Sequence, residues 1–133
     1  MSNQTDLPID QSLIIDFDKG ILLIVPLGDL SKFDTVKIEE ASRDISESLE
    51  RHPDAKVLLD MSYLNYCSSA WLGIVMGVWR LVSGRGGSFV MCHANQQIAK
   101  LLTVTKLNTL WSIHGSREAA LLALTVPTEQ RGA

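Results

Sequence analysis

Lys56-Val57-Leu58-Leu59-Asp60-Met61-Ser62-Tyr63-Leu64-Asn65-Tyr66-Cys67-Ser68-Ser69-Ala70-Trp71-Leu72-Gly73 is the stretch around which the rest of the chain reads. Val57-Leu58-Leu59 is a short apolar run, opened by Lys56 and closed by Asp60, the pattern of a buried strand. From Trp71 to Val82 the chain is apolar on nearly every side, interrupted by Gly73, Gly77 and Arg80. A helix apolar all round belongs in the interior. Between the two, Cys67-Ser68-Ser69 stands where that helix begins, and serine is a favoured N-cap because its hydroxyl accepts a first-turn N–H. A pair of hydroxyls therefore sits at the mouth of a buried helix, just past the end of a buried strand. On spacing alone, simple capping accounts for both serines, with Ser69 the expected cap.

Working outward from this stretch, Gly84 to Gly87, with three glycines and Arg85, stops the helix. Ser88 to His93 follows as a strand, and Asn95 is placed to cap a helix over Gln96 to Thr103 that buries Ile98, Leu101 and Leu102. Leu110 to Ile113 reads as a short last strand. Ser116 caps a final helix, Arg117 to Leu124, whose first turn carries Glu118, favourable to the helix dipole. Upstream, Ser12 to Phe17 and Ile21 to Leu27 are two strands joined by the turn Asp18-Lys19-Gly20, with glycine supplying φ > 0, so the pair is antiparallel. Gly28 to Ser31 is a loop. Asp34 or Thr35 caps an amphipathic helix that buries Val36, Ile38, Ala41, Ile45 and Leu49, ends before His52-Pro53 and shows an acid-rich, solvated face.

The order is strand, strand, helix, then strand and helix three times over. Alternation after the hairpin implies parallel strands. The expected fold class is thus α/β: a single domain over 12–124, a mostly parallel mixed sheet with an antiparallel N-terminal hairpin and about four helices. Residues 1–11 are read as a flexible arm and 125–133 as a polar tail.

Composition narrows the function classes. The 133 residues are 46% hydrophobic and 20% charged, enough for one real core, with a formal net charge of −3. That balance argues against a nucleic-acid partner, which asks for a basic face. No apolar run reaches the ~18 residues of a membrane span. The start of the chain lacks a signal-peptide pattern, and two cysteines fit a reducing compartment, so the expected location is cytoplasmic.

The element order and the motif from Asp60 to Gly73 resemble the STAS domain, the family named for sulfate transporters and bacterial anti-sigma factor antagonists. Its members carry a hydrophobic strand ending in Asp, then Asp-Ser-Ser/Thr-Gly-Leu-Gly at the start of the second helix. Here Val57 to Asp60 match the strand, and Cys67-Ser68-Ser69-Ala70-Trp71-Leu72 take the place of the signature. Gly28-Asp29-Leu30 is similar to the family's Gly-Glu-Leu-Asp loop. Arg85-Gly86-Gly87 and Leu101 to Leu107 are similar to the Arg/Lys-Gly-Gly and Leu-x-x-x-Thr-Gly-Leu segments. The departures are Cys67 for the acid, Ala70 for glycine, Trp71 for leucine and Lys106 for the late glycine.

In the antagonist branch, the resemblance implies, a partner that is both anti-sigma factor and serine kinase phosphorylates the first serine. By position that is Ser68, ahead of Ser69. The unphosphorylated domain binds this kinase-like ATPase; the phosphorylated one lets go. The implied contact surface is Gly28, Asp29, Leu30 and Ser31 together with Asn65, Tyr66, Cys67, Ser68, Ser69, Ala70 and Trp71, the tryptophan being the one of three read as open to a partner. The domain is expected to be a bacterial protein-binding switch without cofactor, not an enzyme: no nucleophile, base and orienting group converge in the sequence. The resemblance also leaves room for a constitutive STAS subunit of a membrane lipid-transport ATPase, or for a small-ligand or nucleotide-binding STAS domain.

Cys67 has a second reading, a thiol activated at a helix N-terminus. Cys92 at the end of the next strand would be its redox partner; the ordinary alternative is a pair of small buried hydrophobes. His52, His93 and His114 have no Cys or carboxylate at metal-ligand spacing, so no metal is expected. The glycines around Arg85 precede a strand and are no phosphate loop.

Overall fold

A computed structural model describes residues 13–27 and 35–125. The loop expected at Gly28 to Ser31, the Asp34 cap, the N-terminal arm and most of the tail lie outside these residues. Strands β1 (Leu13–Asp18) and β2 (Ile21–Pro26) form the expected antiparallel hairpin, with Leu13 opposite Pro26 and Asp18 opposite Ile21. Its two-residue turn puts both Lys19 (φ 54) and Gly20 (φ 82) in the left-handed region. That is what a turn matching the strands' own twist demands.

The chain then runs through α1 (Thr35–Arg51), β3 (Lys56–Asp60), α2 (Ser69–Gly84), β4 (Phe89–Cys92), α3 (Gln96–Val104), β5 (Ser112–His114) and α4 (Arg117–Thr125). The sheet order is β1-β2-β3-β4-β5, parallel from β2 onward.

Side chains alternate across a strand, and the sheet uses both faces. Leu22, Ile24, Val57, Leu59, Phe89 and Met91 point into one core, with Ala41, Ile45 and Leu49 of α1, Trp71, Val75, Val78 and Val82 of α2, and Ile98 and Leu102 of α3. Leu58, Val90 and Cys92 point the other way, against Ala120 and Leu124 of α4 alone. Each large apolar side chain buried in this way contributes roughly 1.5–3 kcal/mol. Among the described residues, three helices therefore cover one face and one helix the other.

Two placements differ from the sequence reading. The last strand was expected at Leu110 to Ile113. Instead Lys106 takes a left-handed conformation (φ 64) and the chain makes a short 3-10 turn, Leu107–Thr109. Leu110 and Trp111 donate their backbone N–H groups to the Leu107 carbonyl. Pairing thus begins only at Ser112, leaving Leu110 exposed and Trp111 buried. The second helix, whose cap was expected at Ser69, includes Ser69 as its first residue and so starts one residue earlier.

Candidate functional site

The loop from Met61 to Ser68 leaves the C-terminal end of β3 and delivers the chain to α2. Its entry is organised by Asp60, whose side chain is almost wholly buried. Oδ1 accepts the Ser62 backbone N–H at 2.9 Å and also the Ser62 hydroxyl. Oδ2 accepts from Arg117 at the start of α4, through Nε at 3.0 Å and through Nη2. Burial alone would raise the carboxyl's pKa; hydrogen bonds from Ser62 and Arg117 outweigh it and hold Asp60 below the usual carboxylate range.

Further along, the Leu64 N–H closes a turn on the Met61 carbonyl at 3.1 Å. Asn95 does two jobs. Its Oδ1 accepts the Ile98 N–H at 2.8 Å, the expected α3 cap, and its Nδ2 donates to the Leu64 and Asn65 carbonyls at 3.3 and 3.2 Å. Leu64 and Cys67 point inward, whereas Tyr63 (61% exposed) and Tyr66 (58%) point out. The loop thus turns every third residue inward, Met61, Leu64 and Cys67, and displays tyrosines between them.

At its end the serine pair divides its labour, in the reverse of the expected order. Ser68, not Ser69, is the cap: its backbone is extended (φ −77, ψ 161) and its Oγ accepts the Trp71 N–H at 3.1 Å. Ser68 is only 4% exposed. Ser69, the first helical residue, is exposed. Trp71, read as open to a partner, is instead 1% exposed. Trp71 falls in line with Val75, Val78 and Val82, the spacing of a helix's buried stripe. Among the described residues its indole N–H has no partner, so packing is what holds it.

Of the proposed contact residues, Asn65, Tyr66 and Ser69 are exposed and Ala70 is half-buried, while Cys67, Ser68 and Trp71 are buried. Gly28, Asp29, Leu30 and Ser31 lie outside the described residues. Tyr63, the staple from Asn95 and the Arg117 pair were missed. An aromatic in a polar loop was the available signal for Tyr63; nothing local signals the other two.

The activated-thiol reading of Cys67 is overturned. Burial pushes its thiol up to about 12. Cys92 is also pushed up to about 12, by burial first and then by the charge and hydrogen bond of Asp60. The metal reading also changes shape, because the ends of β3 and β4 bring ligand atoms of Asp60, Cys92 and His93 within 4.8 Å of one another. Yet Asp60 already takes two donors on each oxygen, and Cys92 holds its proton. An ion would have to displace Arg117 and ionise the thiol, so the trio does not fit a ready metal site. On β5, Ser112 Oγ and His114 Nε2 lie 3.0 Å apart. Among the described residues no carboxylate orients that histidine, as an activated serine requires.

The fold and this loop define a class. The chain belongs to the STAS domain family, whose model matches residues 12–120. It is similar to the anti-sigma F factor antagonist of Paenibacillus polymyxa, 24% identical over 114 residues that cover 84% of this chain and 93% of the relative. It shares its fold with an anti-sigma-factor antagonist (STAS) domain protein from Planctomyces limnophilus: TM-score 0.76, 16% identity, 86% of this chain and 98% of that one. The Bacillus antagonist SpoIIAA also shares it. Its unphosphorylated form has a TM-score of 0.69 at 16% identity, covering 91% of this chain and 97% of that one. Its phosphorylated form has a TM-score of 0.65 at the same identity, covering 82% and 96%. Among the described residues no helix is long and apolar enough to cross a membrane.

Proposed function

We propose that this domain is an anti-sigma factor antagonist of the cytoplasm, acting without catalysis of its own. It binds an anti-sigma factor that is also a serine kinase of ATPase type and is released when Ser68 is phosphorylated. The observation that carries the reading is the place of Ser68: the N-cap of α2, at the end of a pinned loop that displays Asn65, Tyr66 and Ser69. A phosphate there adds roughly −1.5 to −2 charge and three acceptor oxygens. Within the domain the free N–H groups of the first helical turn accommodate it. Across an interface the same group adds bulk, like charge and desolvation cost. Binding is lost while the fold survives. Transfer to Oγ first requires the cap bond to Trp71 to open, so the kinase must draw the serine out of its turn.

That burial also supports a second reading, a constitutive protein-binding subunit in which Ser68 only caps. Peptide mass spectrometry of protein from its own cells, with and without phosphatase, separates the two. Phosphate confined to Ser68, with Ser68→Asp losing the partner and Ser68→Ala keeping it, supports the switch. A Ser68 that stays bare under growth and stress sinks the switch and leaves the constitutive subunit.

A further inference from the structure

The loop that carries Ser68 is held by six ties, and one of them leads on to α4 on the far side of the sheet. Ser62 is tied to Asp60, the Leu64 and Asn65 carbonyls to Asn95, the Leu64 and Cys67 side chains to the core, and the Trp71 N–H to Ser68. Only the first ends on a charged group. The Asp60 carboxylate is shared: one oxygen faces the loop, the other faces Arg117 on α4, which packs on the opposite face of the sheet from α1, α2 and α3.

Arg117 stands at the first residue of α4, where the helix dipole disfavours a cation. The dipole therefore does not explain its placement, and the carboxylate does. Its side chain is 45% exposed while that of Asp60 is 2% exposed, so the outer half of the pair meets solvent and the inner half does not.

We infer that Arg117 is a positioning residue for the Ser68 site, acting through Asp60; the inference rests on reading that site as the switch. The guanidinium fork fixes the orientation of the carboxylate, and the orientation fixes which oxygen meets Ser62. Without the fork, a buried carboxylate is short of partners and regains them by turning toward water. It then gives up the Ser62 N–H, and the loop loses its entry pin. The exit pin at Trp71 loosens with it, and the Ser68 hydroxyl becomes available. A contact on α4 thereby sets how readily the serine on the other side of the sheet leaves its cap.

Amide hydrogen exchange of the full unmodified chain, resolved by residue, tests this with Arg117→Met, which keeps an apolar stem, and Arg117→Lys, which restores the charge without the fork. In the Met variant the Ser62 and Trp71 amides are expected to exchange about ten-fold faster or more, as when a hydrogen bond to a charged group is lost. The sheet amides of Val57 to Leu59 and the Ala99 amide of α3 speed up by no more than each variant's measured loss of global stability requires, and the Lys variant falls between. An unchanged Trp71 amide in the Met variant, whether or not Ser62 speeds up, would overturn the inference. So would a uniform rise at every amide, which marks plain loss of stability. Mass analysis of Ser68 reads the phosphate separately, so a chain never phosphorylated defeats the switch and not the latch.

Discussion

The hydroxyl of Ser68 accepts the Trp71 backbone N–H at 3.1 Å, and the side chain of that same tryptophan is sealed in the core. One turn of chain thus joins the candidate switch residue to the main hydrophobic cluster. Whatever pulls Ser68 out of place works against the packing of Trp71.

Ser68→Ala should lower stability by about 1 kcal/mol, the typical value of a lost N-cap. Ser69→Ala, at an exposed helical position, should stay within about 0.5 kcal/mol of wild type. Paired denaturation curves decide it, and a costlier Ser69 variant would mean that the cap is misassigned.

Asp60 gives acid sensitivity with a definite sign. Its folded pKa lies below the unfolded value, so its contribution is complete above the ordinary carboxylate range and is lost as pH falls through the folded value. Stability measured from neutral pH downward should fall in that acid window, and Asp60→Asn should flatten its part of the slope. Arg117→Ala should cost about 2 kcal/mol at neutral pH, as for a hydrogen bond to a charged group. An acid limb identical in wild type and Asp60→Asn would rule out Asp60 as its source.

Both thiols should be inert in the folded chain. With values near 12, about one molecule in ten thousand carries the thiolate at pH 8, against roughly a quarter for a free cysteine. Ellman's reagent should react at the rate of unfolding, and mild oxidation should form no disulfide. Rapid, stoichiometric labelling of Cys67 in the native state would revive the redox reading.

The glycines within α2 and the one that precedes β4 separate by environment. A Cβ built on Gly73 or Gly77 meets nothing within 4 Å, whereas one on Gly87 falls 3.0 Å from Val82 Cγ1 and 3.2 Å from the Val82 carbonyl. Gly73→Ala and Gly77→Ala should each stabilise by about 0.5–1 kcal/mol through helix propensity. Gly87→Ala should destabilise. Thermal midpoints that move the other way for the first two would show that the α2 surface needs those gaps.

How much of this was legible depended on distance along the chain. The hairpin was written in Asp18-Lys19-Gly20, and every strand and helix announced itself through local pattern. The choice of cap was not, because adjacent serines can both cap and only the extended backbone of Ser68, with its Oγ on the Trp71 N–H, tells them apart. The final strand slipped because Lys106 adopted the left-handed turn expected of a glycine and carried the chain on to Ser112. Asp60 and Arg117 are 57 positions apart, and no periodicity connects them. The thiols misled because helix-end electrostatics can be read from sequence and burial cannot.

The strand order of the sheet is the order of the strands in the chain. Each strand therefore docks on one that has already been made, and no gap must be held open for a later insertion. After the two-residue hairpin turn, each parallel connection carries, among the described residues, one helix longer than a single turn, so its closure entropy is small and grows slowly with length. As the chain emerges from synthesis, the sheet can extend edge by edge. The free edge moves forward with it until α4 closes over the second face.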